Sequence, residues 1–166
     1  EPGLVHDQCS TANEGTKTIS ATQVVNTYYA PTASVAAGAT SLPVGAAQGR
    51  LRSLRYGDRL LVIQMQGAEI NNGASASAGD PYGDGTGNND RFGYLNPLVG
   101  NLVAGNYECV VAGGPISGGA ITSLGDGAGG GLQNAYVQSQ SVSVGQGYQT
   151  YQVIYVPSYD DLTLGT

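Results

Sequence analysis

The sequence predicts an all-β fold, a single-domain β-sandwich of jelly-roll or Ig-like type with long Gly/Asn/Asp-rich loops. Three observations lead to this prediction. Glycine supplies 27 of 166 residues and charged side chains only 11%, whereas helices favour charged residues on their exposed faces. Short runs of Thr, Val, Ile and Tyr are separated by turn residues throughout the chain. The clearest run, QTYQVIYV at 149–156, places Tyr151, Val153 and Tyr155 on one face of a strand.

The beginning of the chain divides into an arm and a strand. Residues 1–15 are polar and irregular and form the expected N-terminal arm, while residues 16–166 form the single predicted domain. Residues 16–29, TKTISATQVVNTYY, have strand composition, and Pro31 ends that strand. This segment is also the candidate donor strand for joining copies of the chain. The side chains expected to contact a neighbouring copy are apolar or aromatic: Ile19, Val24, Val25, Tyr28 and Tyr29.

The strand predicted at 59–65 follows a turn at Gly57 and Asp58. We expect Leu61, Ile63 and Met65 to face the core there. The other predicted strands are short and lie between Gly-rich or Pro-rich turns, at 41–44, 106–112, 120–124, 149–156 and 161–166. A segment of Gly, Asn, Asp, Ala and Ser, residues 66–102, forms a long loop, which is uncommon in a compact domain and typical of functional segments.

Two cysteines, Cys9 and Cys109, lie a hundred positions apart, a spacing that suits neither a redox motif nor a zinc motif. A structural disulfide between them is the expected state, and it would stabilise the fold by on the order of 4 to 5 kcal/mol in the chain-entropy model. Two separate thiols and a bridge between chains remain alternatives.

Catalytic chemistry finds little support in the residues present. The single histidine, His6, lies in the polar arm, and the nucleophile elbow G-x-S-x-G is missing. Glu69 with Asp80 or Asp84 offers paired carboxylates of the kind that cleave glycosidic bonds, but the loop between them has no predictable geometry. We therefore expect a protein that is not an enzyme and that needs no cofactor.

Calcium is the one ligand that the loop composition indicates. DPYGDGTGNND places oxygen ligands close together in a flexible segment, as calcium prefers, although Asp, Asn and Gly are also ordinary turn residues. The candidate ligands are the carboxylate and amide oxygens of Asp80, Asp84, Asn88 and Asp90.

The net charge of -6 and the single lysine argue against nucleic acid as a partner, because such binding depends on clustered Lys and Arg. Four arginines do cluster in RLRSLRYGDR, either as a contact patch or as solvated turn charges. No apolar run approaches the ~20 residues that a membrane-spanning helix needs. The eleven tyrosines suit either half-buried sheet positions or contacts between packed copies.

Six blocks of the sequence resemble, in the same order, the N-terminal module of large, secreted, adhesin-like bacterial surface proteins. They are VVNTYYAPTASVAAGATSLPVGAA, GDRLLVIQMQGAEIN, YGDG, GNYECVVA, GGGLQNAY and YQVIYVPSYDDLTL, within residues 24–164. The resemblance implies a secreted, extracellular or cell-surface protein and carries no catalytic motif. Because the chain stops where the module stops, we expect a small subunit or a fragment that works in many copies.

The expected function is the repeating subunit of a bacterial surface filament or layer, a homopolymer whose copies are joined by β-strand complementation. The alternative is an adhesin-type binding module that recognises a glycan or another surface ligand, with calcium in the 66–102 loop.

Overall fold

The computed structural model describes residues 14–50, 52–67, 103–139 and 148–165, and in those ranges the chain forms β-strands and one short 3-10 turn. The prediction of an all-β fold is confirmed. The elements are β1 (Thr16–Ile19), β2 (Thr27–Pro31), β3 (Ser41–Gly49), β4 (Arg59–Gln66), β5 (Tyr107–Ala112), β6 (Ala120–Leu124), the turn Ala128–Gly130, β7 (Thr150–Tyr155) and β8 (Asp161–Leu164).

Six strands close into a barrel in the order β2-β3-β6-β5-β4-β7, and every neighbouring pair is antiparallel. Strands β1 and β8 pair in parallel as a separate two-stranded sheet, which we call the ribbon. The β-sandwich is therefore not confirmed, since the main sheet closes on itself. Alternating apolar residues predict a sheet with one buried face, and that pattern is the same in a sandwich and in a barrel.

Side chains fill the interior of the barrel. Tyr151, Val153 and Tyr155 share one face of β7, as predicted, and this face is the inward one, since each is at most 1% exposed. Tyr29 and Tyr136 are also buried to 1% or less, so at least four tyrosines belong to the core. A barrel of few strands has room for little else than its own inward side chains.

The predicted orientation of β4 is wrong by one residue. Leu60, Val62 and Gln64 face the interior, each at most 1% exposed, whereas Met65 is 54% exposed. The run RLLVIQM is apolar on both faces, so its periodicity does not determine which face is buried.

The strand predicted over residues 16–29 is interrupted. Its first part is β1 in the ribbon, its last part is β2 in the barrel, and residues 20–26 form a link without regular structure. Strand β2 pairs with β3 on one side and with β7 on the other, and Tyr29 faces the barrel interior. Removing β2 from its own barrel would therefore break two strand pairings.

The glycine-rich segment 125–131 forms a tightly packed turn. Leu132 N donates to Ala39 O at 2.9 Å and Gly38 N donates to Leu132 O at 2.7 Å, which brings two backbones together. A Cβ atom added at Gly127 would lie 1.9 Å from Leu132 O, although its φ of -76° is open to any residue. Close approach therefore requires glycine at this position.

Candidate interaction surface

The ribbon lies outside the barrel. Backbone hydrogen bonds join its two strands at both the start and the finish of the paired region. Glu14 N donates to Ser158 O at 3.0 Å and Asp160 N to Gly15 O at 2.9 Å at the start, and Gly165 N donates to Ile19 O at 2.7 Å at the finish. Thr16 is aligned with Asp161 and Ile19 with Leu164. The two strands thus run side by side over four residue pairs.

Among the described residues, each ribbon strand pairs with only one other strand, so each has an outer edge. An edge presents N–H and C=O groups that can pair with a strand of another chain. The face that carries Lys17 and Ile19 also carries Leu162 and Leu164, which are 52% and 74% exposed. The ribbon therefore combines open edges with two exposed leucines on one face.

Glu14 attaches the ribbon to one end of the barrel. Its carboxylate accepts hydrogen bonds from Arg50 Nη2 at 3.0 Å and from the hydroxyl of Tyr155, and it lies 2.7 Å from Arg52 Nη2. Burial alone would raise the pKa of Glu14, but the hydrogen bonds from Tyr155, Arg52 and Arg50 outweigh it and lower the pKa below its ordinary value. Burial, together with the bond to Glu14, raises the pKa of the Tyr155 phenol.

Arg52 connects Glu14 to Asp58 through a bidentate ion pair. Its Nη1 and Nη2 atoms lie 2.7 Å and 2.8 Å from the two oxygens of Asp58, and the guanidinium lies 4.6 Å from the centre of the Tyr155 ring. The Arg52 side chain is 12% exposed. The interpretation of the arginine cluster as solvated turn charges is therefore wrong for Arg52.

A second polar cluster holds the loop around Tyr136 against the other end of the barrel. Glu108 accepts hydrogen bonds from the backbone of Gln133 at 2.7 Å and of Asn134 at 2.9 Å, and from the Tyr136 hydroxyl at 3.1 Å. The Gln64 side chain both donates to and accepts from the backbone of Val137, each at 2.9 Å. Buried carboxylate and amide groups here have structural partners.

The segment between β4 and β5 leaves and rejoins the barrel at one place. Gly67 O accepts hydrogen bonds from Val103 N at 2.8 Å and from Ala104 N at 3.3 Å. A Cβ atom on Gly67 would lie 2.5 Å from a methyl carbon of Val103. Gly67 and Val103, the described residues on either side of residues 68–102, are thus in contact.

Several predicted site residues lie outside the described ranges. They are the candidate calcium ligands Asp80, Asp84, Asn88 and Asp90, together with Glu69, His6 and Cys9. Within residues 14–50, 52–67, 103–139 and 148–165, no group of three or more His, Cys, Asp or Glu side chains is arranged to hold a metal ion. The calcium site stays a prediction.

Cys109 lies on β5, at an outward position in an apolar groove of about 430 Å³ that Leu61, Ile63 and Val156 also line. It is disulfide-bonded, and none of the described cysteines is free. Because Cys9 lies outside the described residues, the pairing of Cys9 with Cys109 stays a prediction.

The predicted self-assembly residues occupy three different environments. Ile19 lies in the ribbon, Val24 is 56% exposed on the link, and Tyr29 is buried in the barrel. Val25 and Tyr28 are half-buried. The structure thus does not bring these five residues together on one surface.

Sequence interpretation missed the cluster that anchors the ribbon. Its members, which come from separated parts of the chain, are Glu14, Arg50, Arg52, Asp58 and Tyr155. The signal was present in RLRSLRYGDR, where arginines precede an aspartate at a turn, but the partner Glu14 is distant in sequence.

Across the described residues, no helix has the length and apolar character needed to cross a membrane. Comparisons of the chain with protein-family models, with curated proteins and with solved structures found no match.

Proposed function

We propose that this protein is a non-enzymatic, extracellular structural protein, the repeating subunit of a bacterial surface filament or layer. The ribbon is the observation that carries the proposal: it stands outside a closed barrel and has an outer edge on each strand. Copies join by β-strand complementation at this ribbon.

The two outer edges of the ribbon belong to different strands, β1 and β8, so a contact between them is heterologous. A heterologous contact that does not close into a ring produces an open chain of subunits. The barrel strands are less suitable donors or acceptors because each already has two neighbours. The ribbon strands are therefore better candidates for donor and acceptor strands than the whole predicted donor segment, residues 16–29, because the last part of that segment is barrel strand β2.

Electron microscopy and light scattering of the purified chain test this function. We expect regular fibres or sheets at high protein concentration. Leu164→Lys should lower the assembled fraction at least tenfold, because a lysine on an exposed ribbon opposes strand pairing. Tyr107→Lys is the matched control, since Tyr107 is 66% exposed and begins β5, at the barrel end opposite Glu14, while Leu164 is 74% exposed. A chain that stays monomeric at every concentration would refute the proposal.

A second candidate function is an adhesin-type module that binds a glycan or another surface ligand with calcium. The contact between Gly67 and Val103 favours it, because binding residues often lie on loops that a rigid scaffold positions, and these two residues belong to the scaffold on either side of the segment. Replacing residues 68–102 with a short Gly-Ser linker should abolish calcium-dependent binding to a glycan array. The same variant should assemble normally if the structural function is correct.

A further inference from the structure

The link between β1 and β2 separates the first ribbon strand from the barrel. Residues 20–24 are exposed, and residues 20–26 contain no strand or helix. Regular contacts resume at Asn26, whose O accepts a hydrogen bond from Arg50 N at 2.9 Å. Fully extended, seven residues span at most about 25 Å. The link is therefore long enough to carry β1 away from its own barrel.

The contacts that hold residues 14–19 come from parts of the chain beyond this link. Strand β1 pairs with β8, and Glu14 binds Arg50, Arg52 and Tyr155. The backbone of Glu14 and Gly15 bonds to Ser158 and Asp160. A second copy could supply each of these partners in the same geometry, because none of them lies in the link itself.

Resting on the proposed function, we propose that residues 14–19 are exchanged between copies, with residues 20–26 as the hinge. We call the site that receives this segment the acceptor; it consists of β8 and the side chains that bind Glu14, namely Arg50, Arg52 and Tyr155. In the structure each segment occupies the acceptor of its own chain. In the polymer the same segment fills the acceptor of the next copy. The segment that occupies the acceptor in the polymer comes from a second copy of this chain. It makes the same contacts there as it makes within its own chain.

Exchange preserves the contacts of the segment, so its free-energy cost is small and concentration decides the outcome. An empty acceptor is costly by comparison, since Arg50 and Arg52 would lose the Glu14 carboxylate at a site where Arg52 is 12% exposed. Each acceptor is therefore filled at all times, either by its own strand or by that of a neighbour.

A cysteine pair across the ribbon reports which chain fills the acceptor. Thr18 and Thr163 are aligned partners in β1 and β8, and neighbouring strands lie about 4.7 to 4.9 Å apart, within the range of Cα separations that a disulfide spans. The full-length variant Thr18→Cys/Thr163→Cys also carries Cys9→Ser and Cys109→Ser, so that no native disulfide holds the strand in its own chain. It is prepared in two forms, with natural nitrogen and with nitrogen-15. The folded forms are mixed, concentrated until they assemble, and then oxidised. Mass spectrometry of the peptides that contain positions 18 and 163 identifies the bond independently of the native cysteines.

We expect linked peptides that carry both isotope labels in the assembled fraction, at the proportion of random pairing, and single-label pairs in the monomer. Oxidising the variant before concentration should lock the strand in its own chain and prevent assembly. Thr18→Cys with Cys9→Ser and Cys109→Ser but with Thr163 kept, treated in the same way, is the control and should assemble.

Assemblies that contain only single-label pairs would overturn strand exchange while leaving the structural function in place. Assembly of the pre-oxidised variant would also overturn strand exchange. A chain that never assembles would instead refute the structural function, so the two failures are distinguishable.

Discussion

At the scale of single residues, the Glu14 carboxylate shows how one side chain ties a separate sheet to a barrel. Three donors from two parts of the chain converge on it: Arg50, Arg52 and the hydroxyl of Tyr155. Hydrogen bonds to a charged group contribute about 1.5 to 3 kcal/mol each, more than bonds between neutral groups. The attachment of the ribbon therefore depends on the charge of Glu14.

The stability of the chain should consequently depend on pH through Glu14. Its folded pKa lies below the ordinary value of 4.5, so its stabilising contribution is complete above that value and is lost as pH falls through the folded pKa. Glu14→Gln should lower the free energy of unfolding by about 1 to 3 kcal/mol at pH 7. Urea unfolding from pH 7 to pH 3 should show this difference shrinking. A difference that is constant over that range would contradict the prediction.

Gln64 is the corresponding residue at the other barrel end, and its amide bonds the Val137 backbone in both directions. Gln64→Ala should cost about 2 to 4 kcal/mol, because it removes these bonds and leaves buried groups of the loop without partners. Gln66→Ala is the control: Gln66 lies on the same strand and its side chain is exposed. Equal unfolding midpoints in urea for the two variants would show that the hydrogen bonds between the Gln64 amide and the Val137 backbone contribute little to stability.

At the scale of elements, the turn at 125–131 depends on close backbone approach. Gly127→Ala should destabilise the fold by about 1 to 3 kcal/mol or more, because the new Cβ would meet Leu132 O at 1.9 Å. Gly45→Ala is the control on β3, where the nearest atom would be Ala30 O at 3.7 Å, an ordinary contact. Thermal unfolding should separate the two variants by several degrees. Similar melting temperatures would mean that the turn relaxes at little cost.

The sequence predicts the elements better than their arrangement. The strand at 120–124 has its predicted limits, and the alternation in β7 puts Tyr151, Val153 and Tyr155 on one face, as predicted. In β4 both faces are apolar, so only tertiary packing selects Leu60 and Val62 as the inward residues. Closure of the barrel cannot be predicted from local sequence patterns either, because it depends on which strands pair, and the paired strands are far apart in the chain.

At the scale of the whole molecule, the disulfide is the longest-range constraint that the sequence predicts. If Cys9 is bonded to Cys109 within one chain, the non-reduced protein should have the mass of a single chain without free thiols, and digestion should release one linked peptide pair. Cys9→Ser/Cys109→Ser should then lower the free energy of unfolding by about 4 kcal/mol. A non-reduced mass of two chains would place the bond between copies instead.

The cluster that anchors the ribbon could not be predicted from the sequence, because its contacts join residues that are far apart in the chain. The arginines and Asp58 are close in sequence, but Glu14 and Tyr155 reach them only through the fold, across separations of 36 residues and more. Composition made solvated charges the reasonable interpretation, because most arginines are exposed. Only the folded chain shows that Arg52 is held between two carboxylates.

The parallel direction of the ribbon determines how the molecule would bear tension. Because β1 and β8 run the same way, a force applied before β1 and after β8 slides one strand along the other. Such shear loads all the backbone hydrogen bonds of the ribbon together, and the Glu14 ion pairs with them, instead of opening them one at a time. A subunit stretched through these two strands would resist extension first at the ribbon and its Glu14 ion pairs, before the barrel strands separate from one another.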